Sequence, residues 1–180
     1  GAARYDESNE ETPCGILEVL RTLKSGSTAS VAVTALKHDS PTVRSAAVQT
    51  LFAIEGDKSV PRILTFMKQE NDPEALGGCE LALLSRRDVA HARRISSEVI
   101  SMLSSSGPYL QDTIYWLLGQ YGGGKNLNVL LRAADAADDK GFESIITSLS
   151  WSPDSAATPA FLSLVKDNAS TPRAAIAARV

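Results

Sequence analysis

Guanidinium groups crowd one short stretch of this chain. Arg86, Arg87, Arg93 and Arg94 are its only basic concentration, and such a group can bind an acidic partner or a phosphate through charge-assisted hydrogen bonds. The plainer reading is preferred here. Asp88 and Glu98 share the stretch, so the arginines form the solvated face of a helix over 88–105 and of the turn before it. Glu98 follows Arg94 at helical i,i+4 spacing, where an exposed pair contributes only roughly tenths of a kcal/mol.

Other reactive residue types are sparse or badly spaced. The two histidines, His38 and His91, lie 53 residues apart. His38 falls in a turn and His91 on a helix with arginines nearby, so no metal site is expected. Serines are plentiful, yet no Gly-x-Ser-x-Gly elbow is present, and they read as helix caps and surface residues. Gly122-Gly123-Gly124-Lys125 resembles a phosphate loop only superficially. It lacks the Gly-Lys-Ser/Thr ending and a preceding strand, and reads as a helix stop and turn. Cys79, spaced with Leu76 and Leu83, is expected to be a buried thiol, while Cys14 lies near the N-terminus. Without CxxC spacing they make neither a disulfide framework nor a zinc site. No cofactor is expected.

Tyr115-Trp116 is the remaining candidate. The stripe Leu110, Ile114, Leu117, Leu118 and Tyr121 occupies the core face of its helix, leaving Trp116 nearly opposite Ile114. Burial against neighbouring helices is the preferred reading. The alternative is an aromatic anchor for a partner, a role in which Trp and Tyr are enriched.

The elements that would hold these residues are helices. Asp39-Ser40-Pro41 is turn chemistry with a capping Ser and a proline in the first helical turn. Behind it Val43, Ala47, Leu51 and Ile54 form one buried stripe, and Gly56 stops the helix. A second helix starts near Lys58 and buries Val60, Ile63, Leu64 and Met67. This hairpin repeats. Thr12-Pro13 opens a helix burying Ile16, Val19, Leu20 and Leu23, and Ser27 caps another through Lys37 that buries Ala29, Val33 and Leu36. Asn71-Asp72-Pro73 opens the next, weakened by Gly77-Gly78 at about 1 kcal/mol per glycine. Later helices centre on Ile95 and Val99, on 110–121, on Leu127 and Leu130, on Phe142 and Ile145 (with Asp139 as cap), and on Phe161 and Leu164. Pro41 to Pro73 is 32 residues, Pro73 to Pro108 is 35, and Pro108 to Pro172 is 64, two further repeats. No two-residue alternation appears, so no strand is expected. A helical-hairpin period of this size predicts an α-solenoid.

Residues 36–51, Leu-Lys-His-Asp-Ser-Pro-Thr-Val-Arg-Ser-Ala-Ala-Val-Gln-Thr-Leu, followed by Val60-Pro61-Arg62-Ile63-Leu64, resemble a HEAT repeat. The likeness is to the short bacterial type named after the phycobilisome lyases. Asp-Pro at the turn, Val-Arg one turn later, Ala-x-x-x-Leu and an aliphatic-Pro pair carry it over residues 36–69. Elsewhere only Asp72-Pro73, Pro108 and Thr171-Pro172-Arg173-Ala174-Ala175 keep parts of the pattern. The resemblance implies an armadillo-like scaffold with a partner-binding surface. Some relatives act on bilin chromophores and a few HEAT-like proteins process DNA, but the matching residues here are structural.

The fold class expected is therefore all-α, a right-handed α-α superhelix of about five to six helical hairpins over 12–180, preceded by a disordered acidic tail over 1–11. That tail holds the whole formal charge of −3, and the rest balances at 17 basic and 17 acidic residues. A neutral body argues against a nucleic-acid partner. No apolar run is long enough for a membrane span. Function is expected to be non-catalytic, a scaffold or adaptor that binds a protein or peptide on the concave surface lined by each second helix. Arg62, Phe66, Arg94, Glu98, Asn128 and Arg132, with Trp116, are the candidate contacts. A chromophore-lyase-like or DNA-processing enzyme is the rival; it would need a deep groove or a continuous basic stripe. The chain opens on Gly without a leader, as an artificial boundary or a processed precursor would give, and the cytoplasm is favoured over export. The apolar end, 172–180, is expected to be a helix folded onto Phe161 and Leu164, keeping the chain monomeric. Self-association there is the alternative.

Overall fold

Ser40 and Pro41 begin the helix around which the first half of the chain packs. In the computed structural model, which describes residues 8–24 and 26–179, the Ser40 hydroxyl accepts from the Val43 N–H and Pro41 takes the first helical position. All regular structure among the described residues is helical. Two units are distinguished, Gly1–Ser85 and Arg86–Val180.

The first unit contains α1 (Ser8–Leu23), α2 (Ala29–Ala35), α3 (Pro41–Glu55), α4 (Val60–Gln69) and α5 (Pro73–Leu84). α3 is its centre and packs on α1, α2 and α5. Its buried face carries Val43, Ala47, Val48, Leu51 and Phe52. Gly56 ends it in the left-handed region (φ 56), where a side chain would be strained. α4 buries Val60, Ile63, Leu64 and Met67, the four residues expected. Asp72 caps α5 by accepting from the Glu74 and Ala75 N–H groups. Cys79 is fully buried in α5, and burial pushes its thiol well above the ordinary value, leaving it unreactive.

Three features of this unit depart from expectation. α1 begins at Ser8, so residues 8–11 of the expected tail are helical and Pro13 lies inside the helix; residues 1–7 lie outside the described ones. The face of α1 is also rotated. Leu17 is buried, whereas Ile16, Val19 and Leu23 are exposed. One residue is about 100° of helix, and the rotation turns the Leu17 face to α3, where Thr50 Oγ1 donates to the Leu17 carbonyl at 3.1 Å. Val33 of α2 is half-buried, with Ala29, Ala32 and Leu36 carrying the contact instead.

The second glycine of Gly77-Gly78 has a packing reason. A Cβ at Gly78 would lie 2.6 Å from the Ser45 Cα of α3, so α3 and α5 approach through a side-chain-free point. At the turns on either side, Arg44 forms a clamp. Its Nε and Nη2 meet the Glu70 carboxylate at 2.7 and 3.0 Å, and its Nη1 donates to the His38 and Asp39 carbonyls. Glu70 Oε1 in turn accepts from the Asn71 and Asp72 N–H groups.

The second unit contains α6 (Val89–Met102), α7 (Pro108–Tyr121), α8 (Gly124–Ala136), α9 (Asp139–Ser150), α10 (Ala157–Asp167) and the short α11 (Ala174–Ala177). α7 packs on α6, α8 and α9; α9 packs on α8, α10 and α11; and α8 also meets α10. Gly119 repeats the role of Gly78, since a Cβ there would lie 2.5 Å from the Ser148 carbonyl of α9. The cap of α9 is Asp138 rather than Asp139, accepting from the Gly141 N–H at 2.8 Å. At the chain end, α11 packs chiefly on α9 and not on α10 as expected from Phe161 and Leu164, and its helix covers less than the expected 172–180. Arg173 anchors it: the guanidinium donates to the Ala134 and Ala137 carbonyls and stacks 4.7 Å over the Phe142 ring. In both units, helices in close contact lie one or two positions apart in the chain.

Candidate functional site

Two glycines turn α7 into α8. Gly122 (φ 61) and Gly123 (φ 85) take left-handed backbone that other residues rarely adopt. A Cβ on Gly122 would strike the Asp154 side chain at 2.7 Å. Asp154 instead accepts from the Gly123 N–H at 2.6 Å and from the Ala156 N–H at 2.9 Å, and these bonds hold its carboxyl below the usual range. The turn therefore places the first residues of α8 beside α6, as the helix stop read from its glycines.

Between α6 and this start of α8 lies a groove of about 660 Å³. Ala92, Arg93, Ser96 and Ser97 of α6 form one wall, and Gly124, Lys125 and Asn126 of α8 form the other. Arg87, Val89, Tyr121, Gly122 and Gly123 complete the lining. Three cations line it and no carboxylate does, so the groove has one electrostatic sign. Arg87 is held in place from behind: Gln120 Oε1 accepts from its Nη2 at 3.4 Å, and Gln120 Nε2 donates to the Trp151 carbonyl at 2.9 Å. The Arg93 and Lys125 side chains make no ion pair or hydrogen bond among the described residues. Asn126 and Ser96, both buried, meet at 2.8 Å across the floor. Tyr121 is braced edge-on by the buried His91 ring, with centroids 6.1 Å apart.

Several residues named from the sequence lie around this groove without lining it. Arg94 and Glu98 are exposed on α6, one residue around the helix from Arg93 and Ser97, and form no ion pair among the described residues. Asn128 and Arg132 are exposed farther along α8. Arg62 and the half-buried Phe66 belong to α4 of the first unit, where Arg62 pairs with Glu55 at 3.0 Å. Of the four clustered arginines, Arg87 and Arg93 line the groove, whereas Arg86 pairs with Asp88, the cap of α6. Ser96 and Asn126 are absent from the sequence expectations, and Lys125 enters them only at the end of the superficial phosphate-loop likeness, set aside as part of a turn.

Trp116 sits on α7, half-buried, in a shallow recess of about 300 Å³ with Asp112, Lys140, Glu143, Ser144 and Thr147. Its neighbour Tyr115 is buried. Desolvation raises its phenol pKa, with Asp112 and Asp138 adding to the effect. Lys140 bridges the recess, 3.5 Å from Asp112 and 4.7 Å over the Tyr109 ring. Among the described residues no group of three His, Cys, Asp or Glu side chains is placed to hold a metal ion. No helix among them is long and apolar enough to cross a membrane.

The class defined by these observations is an all-helical protein with a basic groove between two helices of its second unit. No protein-family model, curated protein or solved structure matches the chain.

Proposed function

We propose that this chain is a non-catalytic scaffold or adaptor of the HEAT type, binding a protein or peptide on a concave surface formed by the second helices of its hairpins. The groove between α6 and α8 is the observation that carries this reading: it is a recess lined by Arg87, Arg93 and Lys125, and on the repeat reading its two helices are successive second helices. Its lining of cations, hydroxyls, an amide and glycines suits recognition of an acidic group. Support for the HEAT architecture comes from α1–α3–α5 and α7–α9 packing, in which alternate helices meet within a unit. The Arg44 clamp adds to it, tying the Asp39 and Asp72 turns to Glu70. A cationic recess favours acidic segments, because electrostatic complementarity raises on-rates and selects register.

Selection of unphosphorylated peptides from a random library, followed by titration of the winners, tests this. Acidic peptides with micromolar affinity are expected. The double variant Arg93→Glu/Lys125→Glu should weaken them by about tenfold or more, while Lys166→Glu on α10 leaves them unchanged. Peptides bound equally by the double variant would remove the groove from the binding surface.

A further inference from the structure

The floor of the α6–α8 groove holds more hydrogen-bond donors than the chain's own acceptors use. Asn126 is 6% exposed and Ser96 5%, and the one bond either side chain makes among the described residues is the one between them. An asparagine amide carries two N–H donors and a serine hydroxyl carries one. With Nδ2 donating to Oγ, the second N–H and the hydroxyl hydrogen remain unused. With the amide turned over and the hydroxyl donating to Oδ1, both N–H groups remain unused. Either arrangement leaves two buried donors facing a cavity, and buried donors demand acceptors. Above them stand Arg93 and Lys125, and beside them begins α8, whose first turn has no side-chain cap. Two of the nearby acids are otherwise engaged, Asp88 with Arg86 and as the cap of α6, and Asp154 with the Gly123 and Ala156 N–H groups, while the exposed Glu98 lies on α6 outside the groove lining.

We propose that this groove is a binding site for a phosphomonoester dianion. Such a group carries about −1.5 to −2 charge and three strong acceptor oxygens. It matches two or three cations together with two unused donors, whereas a carboxylate brings one charge and two oxygens. A volume of about 660 Å³ also leaves room for the group bearing the phosphate. Arg93 and Lys125 supply the charge contacts, Asn126 and Ser96 the neutral donors, and Arg87 a cation held by Gln120. The anion site stands on this geometry; only the idea that a polypeptide carries the phosphate rests on the binding surface proposed above.

Titration of the full chain with phenyl phosphate, followed by backbone amide NMR, tests the site. Shifts are expected at residues 93–97 and 123–126, with affinity at least about tenfold above that for benzoate. Arg93→Ala and Lys125→Ala, both changes of exposed side chains, should each weaken binding about fivefold or more and leave the spectrum folded. Shifts elsewhere only, equal affinity for benzoate, or no effect of either substitution would overturn the proposal. A phosphoserine heptapeptide otherwise of Gly and Ala separates the sources. Binding about tenfold tighter than phenyl phosphate assigns the phosphate to a polypeptide, and binding no tighter assigns it to a small molecule; both outcomes support the site. Because the library selection uses unphosphorylated peptides, loss of the phosphate site and loss of the peptide surface are separately visible.

Discussion

Gly78→Ala is expected to destabilise the first unit by about 2 kcal/mol, while Gly77→Ala, one residue earlier in the same helix, is expected to stabilise it by about 0.5–1 kcal/mol. Both substitutions remove the same backbone entropy cost. They differ in what the new methyl meets. At Gly77 nothing lies within 4 Å of the added Cβ, so only the helix-propensity gain remains. At Gly78 the Cβ would sit 2.6 Å from the Ser45 Cα and 2.8 Å from its carbonyl oxygen, and backbone cannot swing aside as a side-chain tip can. Overpacking of this kind typically costs about 1–3 kcal/mol, and backbone contact sits at the upper end. Urea denaturation of the two variants measures the difference directly. Two stabilised variants would mean that α3 and α5 do not approach so closely.

Removing the clamp should have an effect of similar or greater size. Arg44→Ala is expected to cost about 2–3 kcal/mol, because it strips a largely buried carboxylate of its guanidinium partner. The Arg44 and Glu70 side chains are 16% and 9% exposed, so solvent screens the pair only weakly. Arg44→Lys should recover little, since an ammonium cannot bridge both carboxylate oxygens and two carbonyls from one planar fork. The pair also has a pH signature. Burial pushes the Glu70 carboxyl upward, but the Arg44 guanidinium and the N–H groups of Asp72 and Asn71 outweigh burial and hold it below the ordinary value of 4.5. A depressed folded value stabilises fully above the unfolded one and is lost as pH falls below about 4.5 through the folded value. The wild-type chain should therefore lose stability more steeply in that acid window than Arg44→Ala does. Equal acid slopes in urea melts would detach Glu70 from the stability of this unit.

These residues show where a linear reading succeeds. The α3–α4 hairpin was legible because each local signal agreed: Ser40-Pro41 starts it, Val43, Ala47 and Leu51 set its face, and Gly56 stops it. α1 was less legible for a physical reason. Thr12-Pro13 has the chemistry of a helix start, yet the helix begins at Ser8, and five apolar residues, Ile16, Leu17, Val19, Leu20 and Leu23, offered competing faces. The neighbour α3 decided between them by taking Leu17. Gly78 looked like a weakness because propensity is local, whereas its use depends on where Ser45 passes. The groove was half legible. The basic cluster was visible, but separating Arg93 from Arg94 requires knowing helix rotation to within one residue, and pairing α6 with Lys125 requires the path of the α7–α8 turn.

Hydrogen exchange of the full chain, with and without a library-selected acidic peptide, tests the central claim that α6 and α8 form the binding surface. Slowed exchange is expected at the start of α8, around 124–127, and along 92–98 of α6, with unchanged exchange in α9 and around Trp116. Protection confined to the α7–α9 recess, with α6 and α8 unaffected, would contradict it.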